Sequence, residues 1–233
     1  MKPKLLLISL LFIMSSELFA ARIGRFGADF TASSDYIYRG VSRTDHSPQL
    51  VGNMYYKFNF GLRFGASTGN VGADSNRGME ARIYTKYKKL YNRYFGIKSS
   101  VEYFNNPYAT NGSSVIYELG FMITKYFELS VYYAPKYLGT EASSLYCEAS
   151  TYFPLMRSQK LYLRLSGGYS QFDDEILAGN LNYADYKIAI HKKIRRHDIS
   201  LFFVGTNRRI YDGAKIDDYA EDEGFGAAYV FSL

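Results

Sequence analysis

The 233-residue chain has no tryptophan, five prolines, three histidines and a single cysteine. One cysteine, Cys147, rules out an intramolecular disulfide. Its distance from the N-terminus also rules out a lipoprotein anchor, and a small apolar wall residue is the simplest role for it. The histidines stand alone at His46, His191 and His197, so no metal-ligand cluster forms in the sequence, and no cofactor motif appears. No apolar run reaches the ~20 residues that a membrane-spanning helix requires. There is no helix-period segment, no repeat of fixed period and no low-complexity linker to mark a second domain. The net charge of +6 is scattered rather than gathered into one stripe, which argues against nucleic-acid binding.

What the chain does have is tyrosine (24) and phenylalanine (17), within a composition that is 47% hydrophobic. Aromatic load of this kind favours strands. Mean hydropathy is −0.21, as for a soluble protein. A membrane β-barrel averages the same way, because half of its wall faces water. At the N-terminus Lys2 and Lys4 precede an apolar run, Leu5 to Met14, and small residues at Ala20 and Ala21. This reads as a cleaved signal peptide over 1–20, followed by an exported domain over 21–233. Leu18 is bulky for the −3 position of such a site.

Beyond residue 24 the pattern is alternation with period two. Phe26, Ala28, Phe30, Ala32, Ser34, Tyr36 and Tyr38 share one face. Gly27, Asp29, Thr31, Ser33, Asp35, Ile37 and Arg39 share the other. The spacing predicts twelve strands, at 25–39, 48–57, 58–68, 78–87, 94–104, 115–124, 126–134, 144–153, 161–169, 182–191, 198–206 and 224–233. Val51, Phe202 and Val204 blur the polar face of the second and eleventh. Most segments have the length of a tilted membrane strand. Tight connections such as Lys88–Arg93 and Lys192–His197 alternate with longer ones such as Gly69–Arg77, Asn105–Ser114, Ser170–Leu181 and Asn207–Glu223. These features predict an all-β fold: a transmembrane antiparallel up-and-down barrel of about twelve strands, with termini and short turns in the periplasm. The last strand, with Phe231 and Leu233 on its apolar face, is similar to the signal read by the barrel-assembly machinery. A soluble β-sandwich is the competing fold, but it would not need an apolar face on nearly every strand to the last residue.

Asp35-Tyr36-Ile37-Tyr38-Arg39-Gly40-Val41-Ser42-Arg43-Thr44-Asp45, followed by Pro48, Gln49 and Gly52, resembles the opening of the TorF family of porin-like proteins. Tyr117-Glu118-Leu119-Gly120 is similar to that family's mid-chain strands. The resemblance covers about a tenth of the chain, with family-motif residues Asp35, Tyr36, Arg39 and Gly40. It implies a bacterial outer-membrane barrel and brings no catalytic residues with it.

A charged residue on the lipid face of such a barrel costs about 2–4 kcal/mol at mid-depth. The ionisable residues of the polar face are therefore expected inside. The pore-lining candidates are Arg63, Arg82, Lys98, Glu102, Glu118, Glu128, Glu148 and Arg164. Arg63 is expected nearly opposite Arg82, so that a basic arc faces an acidic one. Such arcs either set a transverse field across a pore for small polar or charged solutes or close the lumen with salt bridges. Asp35 and Arg39, four apart on the first strand, suit a mouth contact or a wall pair that orders the first loop. The short turns carry Lys and Arg and the long loops Asp and Glu. The acidic loops are either simply solvated or hold cations that also bridge lipid phosphates. A non-conducting adhesive or structural barrel is the alternative function. An outer-membrane lipase or protease is a further one, for which only His46, near Ser42, Asp45 and Ser47, lies on an outer loop, with no triad evident. Expected partners are the lipid bilayer, lipopolysaccharide, the barrel-assembly machinery and small polar solutes.

Overall fold

The alternation is realised as twelve antiparallel strands: β1 (Gly24–Ser33), β2 (Gln49–Phe58), β3 (Leu62–Val71), β4 (Gly78–Leu90), β5 (Phe95–Asn105), β6 (Ser113–Ile123), β7 (Phe127–Ala134), β8 (Ser144–Met156), β9 (Leu161–Phe172), β10 (Tyr183–Ile194), β11 (His197–Thr206) and β12 (Gly224–Ser232). The computed structural model describes residues 23–44, 46–71, 78–105, 113–137, 142–173, 182–207, 210–212, 215–217 and 223–233. The expected signal segment lies outside these residues, as do most of the acidic loop positions. Each barrel strand pairs with its neighbours in the chain, and β1 pairs with both β2 and β12. Closure leaves no free sheet edge, which is what a hydrocarbon environment demands of backbone N–H and C=O groups. No helix among the described residues is long and apolar enough to cross a membrane.

The pleat sends one set of side chains out and the other in. The outer set is apolar and exposed: Phe26 is 80% exposed and Phe225 88%, with Met54, Ile83, Leu119 and Leu201 between them around the wall. Soluble monomers rarely expose apolar patches beyond roughly 300–600 Å². A belt around the whole barrel needs lipid against it. Cys147 belongs to this outer face, paired in register with Val131 and Tyr169.

Two of the expected strands need correction. The first ends at Ser33 instead of running to residue 39. There the Ser34 amide donates to the Ala227 carbonyl (2.9 Å), and the Ala227 amide donates to Ser34 Oγ (3.0 Å), which ends the ladder. The segment expected at 58–68 instead has a turn at 59–61, with Gly61 at φ 108°, before β3 begins. Short turns at 59–61, 91–94, 124–126, 157–160 and 195–196 share one rim with both ends of the barrel. At this rim Gly24 pairs with Phe58, and Phe231 pairs with His197. The longer connections leave from the opposite rim.

Candidate functional site

The segment after β1 turns into the barrel. Ile37–Tyr38 and Val41–Ser42 form a small hairpin separate from the barrel sheet. Its two central residues, Arg39 (φ 51°) and Gly40 (φ 76°), both have positive φ, as a tight two-residue hairpin turn requires. Gly40 is needed for a second reason: a Cβ there would sit 2.4 Å from Asp185 Cβ on the wall. Asp35 ties the base of the hairpin. Its Oδ1 accepts hydrogen bonds from Ser42 Oγ and Thr44 Oγ1, both at 2.7 Å, and its Oδ2 lies 3.1 Å from His46 Nδ1. The Tyr36 amide donates to Thr44 Oγ1 (3.0 Å), and the Arg43 amide donates to the Tyr36 carbonyl (2.8 Å). Asp35 and Arg39 therefore do not lie on a strand face of the wall, as expected from the alternation. They are the base and the tip of an inward-folded hairpin.

The hairpin docks on apolar residues of the inner face. Tyr38 packs against Phe104, Ile116 and Ala134, and Ile37 against Ala189, Phe202 and Val204. Burial pushes the Tyr38 phenol well above its usual range. The Tyr36 hydroxyl accepts a 2.7 Å bond from Arg82, while Arg43 pairs with Glu80 at 2.6 Å. Val51 lines a 100 Å³ cavity beside Tyr36. The residues that blur the polar pattern of the second and eleventh strands thus face the hairpin. A buried apolar residue on a nominally wet face was the available signal for it. At the tip, the Arg39 guanidinium stands over the rings of Tyr146 (4.5 Å), Tyr38 (5.1 Å), Tyr132 (5.5 Å) and Tyr137 (5.6 Å). Among the described residues its two terminal nitrogens have no hydrogen-bond partner.

The charged residues do not form facing arcs. Arg82 lies 3.1 Å from Glu80 on its own strand and 3.6 Å from Glu102, which also pairs with Lys86 at 2.7 Å. Lys98 bridges Glu118 (3.0 Å) and Glu128 (3.1 Å), and Lys88 reaches Glu128 over the two intervening strands. Glu148 accepts from the Tyr132 hydroxyl (3.2 Å) and lies 3.8 Å from Arg164. Cations and carboxylates of β4 to β7 are thus interleaved. Arg63 differs. It lies opposite Lys86 and Lys57, not Arg82, whose partner on β3 is Ser67. Lys57 in turn lies opposite Arg25. Among the described residues none of Arg25, Lys57 and Arg63 has a carboxylate within ion-pair distance, and Arg63 stacks on the Tyr55 ring at 4.1 Å.

His46 meets Asp35, but Ser42 donates to Asp35 rather than to the imidazole, so the three do not form a nucleophile–base relay. Asp45 lies outside the described residues. His191 pairs with Asp198 (3.2 Å) and His197 with the Tyr229 hydroxyl (2.7 Å).

The family model described as "Bacterial protein of unknown function (Gcw_chp)" matches residues 21–228. The chain belongs to this family. No curated protein matches this Gcw_chp member. Among solved structures it is similar to the NanC porin, at 8% identity and TM-score 0.60, covering 88% of this chain and 100% of that one. It is also similar to an outer-membrane channel from Pseudomonas putida F1 (10%, TM-score 0.54, 91% and 96%). A third likeness is to the KdgM porin solved with disordered oligogalacturonate (7%, TM-score 0.53, 89% and 99%). Identities this low establish a shared fold. A closed antiparallel barrel with a lipid-facing belt is the architecture that spans the bacterial outer membrane.

Proposed function

We propose that this Gcw_chp-family chain is an outer-membrane channel for small polar solutes, favouring anions, whose bore is narrowed by the hairpin at 37–42. The observation that carries the reading is the run Arg25, Lys57, Arg63: three inward cations on adjacent strands, in register and without a carboxylate partner among the described residues. Like charges directly opposite each other destabilise a sheet, so mobile anions are the natural counter-charge, and a potential of this sign concentrates them. The interleaved pairs of β4 to β7 shape the wall without adding net charge. The short-turn rim and both termini belong to the periplasm, with export by the segment over 1–20 and insertion by the barrel-assembly machinery. The long connections then face lipopolysaccharide. The likeness of the Asp35–Gly52 string to TorF porins supports the same reading. No enzymatic role is proposed.

A second reading, a barrel sealed by the hairpin and the Glu80–Arg82–Glu102 and Lys98–Glu118–Glu128 clusters, is favoured by their close packing. Planar-bilayer recording separates the two. Unitary events with a reversal potential displaced toward chloride in a KCl gradient support the channel, whereas a folded protein that never conducts supports the sealed barrel.

A further inference from the structure

Beside the hairpin tip, a half-enclosed cavity of 280 Å³ lies against β8 to β11, with Arg39, Glu148, Arg164, Ser166, Lys187 and Ser200 in its lining. Its cations are poorly matched. Lys187 stands over the Phe202 ring at 4.0 Å, opposite Ser166 and Val204 in register, and no carboxylate of the described residues lies within ion-pair distance of it. Arg164, two residues from Ser166 on the same face, has only Glu148 at 3.8 Å. Arg39 is 9% exposed, and its terminal nitrogens have no partner among the described residues. The second carboxylate, Asp185, is covered by Gly40 and accepts from the Tyr146 hydroxyl at 3.2 Å. The lining therefore carries one more cation than carboxylates. Lys187 lies opposite Ser166 in register and Arg164 two residues along from it, so both line the cavity around Ser166, within the span that one bound group can bridge.

We infer that this cavity binds a small hydroxylated carboxylate, with its carboxylate held between Lys187 and Arg164 and its hydroxyls toward Ser166 and Ser200. The inference rests on the channel reading, because solute must reach the interior. A neutral polyol of the same shape would leave Lys187 without a counter-charge, so the site discriminates by charge.

The test is calorimetric titration of the folded, detergent-solubilised protein with sodium gluconate, sorbitol and matched sodium chloride. Gluconate is expected to bind, and sorbitol to bind at least about tenfold more weakly. Lys187→Met and Arg164→Gln should each weaken gluconate about tenfold or more, while Lys187→Arg retains it. Heat-modifiable gel mobility confirms that each variant barrel is folded. Equal binding of gluconate and sorbitol, a heat from gluconate no larger than that from chloride, or undiminished binding in folded Lys187→Met would overturn the site. Bilayer recording of the same preparations keeps the two ideas apart. A wild type that conducts but binds no gluconate sinks the site alone. One that binds gluconate but never conducts sinks the channel alone.

Discussion

Replacing Asp35 by alanine asks whether the hairpin is held in the bore by its own knot. The carboxylate accepts two 2.7 Å bonds, from Ser42 and Thr44 hydroxyls, and lies 3.1 Å from His46 Nδ1. A hydrogen bond to a charged group contributes about 1.5–3 kcal/mol, so the two hydroxyl bonds alone represent about 3–6 kcal/mol. Water cannot replace them at Thr44, which is 0% exposed. The barrel ladder does not include the hairpin, so the loss falls on the inward position of the hairpin and not on the fold. A change of that size shifts the balance between docked and released hairpin by about 10²–10⁴-fold. Asp35→Ala is thus expected to raise unitary conductance and open-channel noise, and to expose Arg39 and Arg43 to trypsin. Asp35→Asn, which keeps one acceptor, should fall between it and the wild type. If the folded alanine variant conducts and resists trypsin as the wild type does, docking of Tyr38 and Ile37 holds the hairpin and the reasoning about the knot is wrong.

Gly40→Ala places a Cβ against Asp185 at positive φ, and should release the tip with at least about 1–2 kcal/mol of strain, read as the same gain of trypsin cleavage at Arg39. The double variant Lys57→Gln/Arg63→Gln should move the reversal potential toward zero selectivity. In the wild type, selectivity should already fade between 0.1 and 1 M KCl as the screening length contracts from ~10 to ~3 Å; salt-independent selectivity would contradict the basic run as its source. Leu119→Lys, on the outer face where leucine is 54% exposed, should cost about 2–4 kcal/mol in reversible unfolding from liposomes, and a neutral effect would show that this face does not meet lipid.

The barrel was legible because period-two alternation and strand length are imposed residue by residue by the pleat and by the thickness of the hydrocarbon. The first strand was over-extended for the same reason. Tyr36 and Tyr38 continue the phase of Phe26 and Phe30, and alternation alone does not distinguish a strand that continues along the wall from one that leaves it. Local chemistry did mark the break: Ser33-Ser34-Asp35 is a cluster that favours backbone-capping side chains over ladder bonds, and Arg39-Gly40 supplies a tight turn.

The interior was less legible, because which charges meet depends on register and shear, and neither is written in single strands. Arg63 was expected opposite Arg82; the β3–β4 ladder, which runs to Val71 opposite Gly78, pairs it with Lys86 instead, and the 59–61 turn pairs it with Lys57. That displacement separates two kinds of wall. From β4 to β7 each inward cation finds a carboxylate, so those strands are stabilised as they stand. From β1 to β3 the inward cations at the short-turn rim find no carboxylate among the described residues, only one another, Lys86 and the Tyr55 ring, and a closed barrel cannot move them apart. On the proposed channel reading, the repulsion persists in the empty bore and is relieved when an anion enters. On that same reading, the residues that weaken the sheet locally are the ones that give the bore its preference.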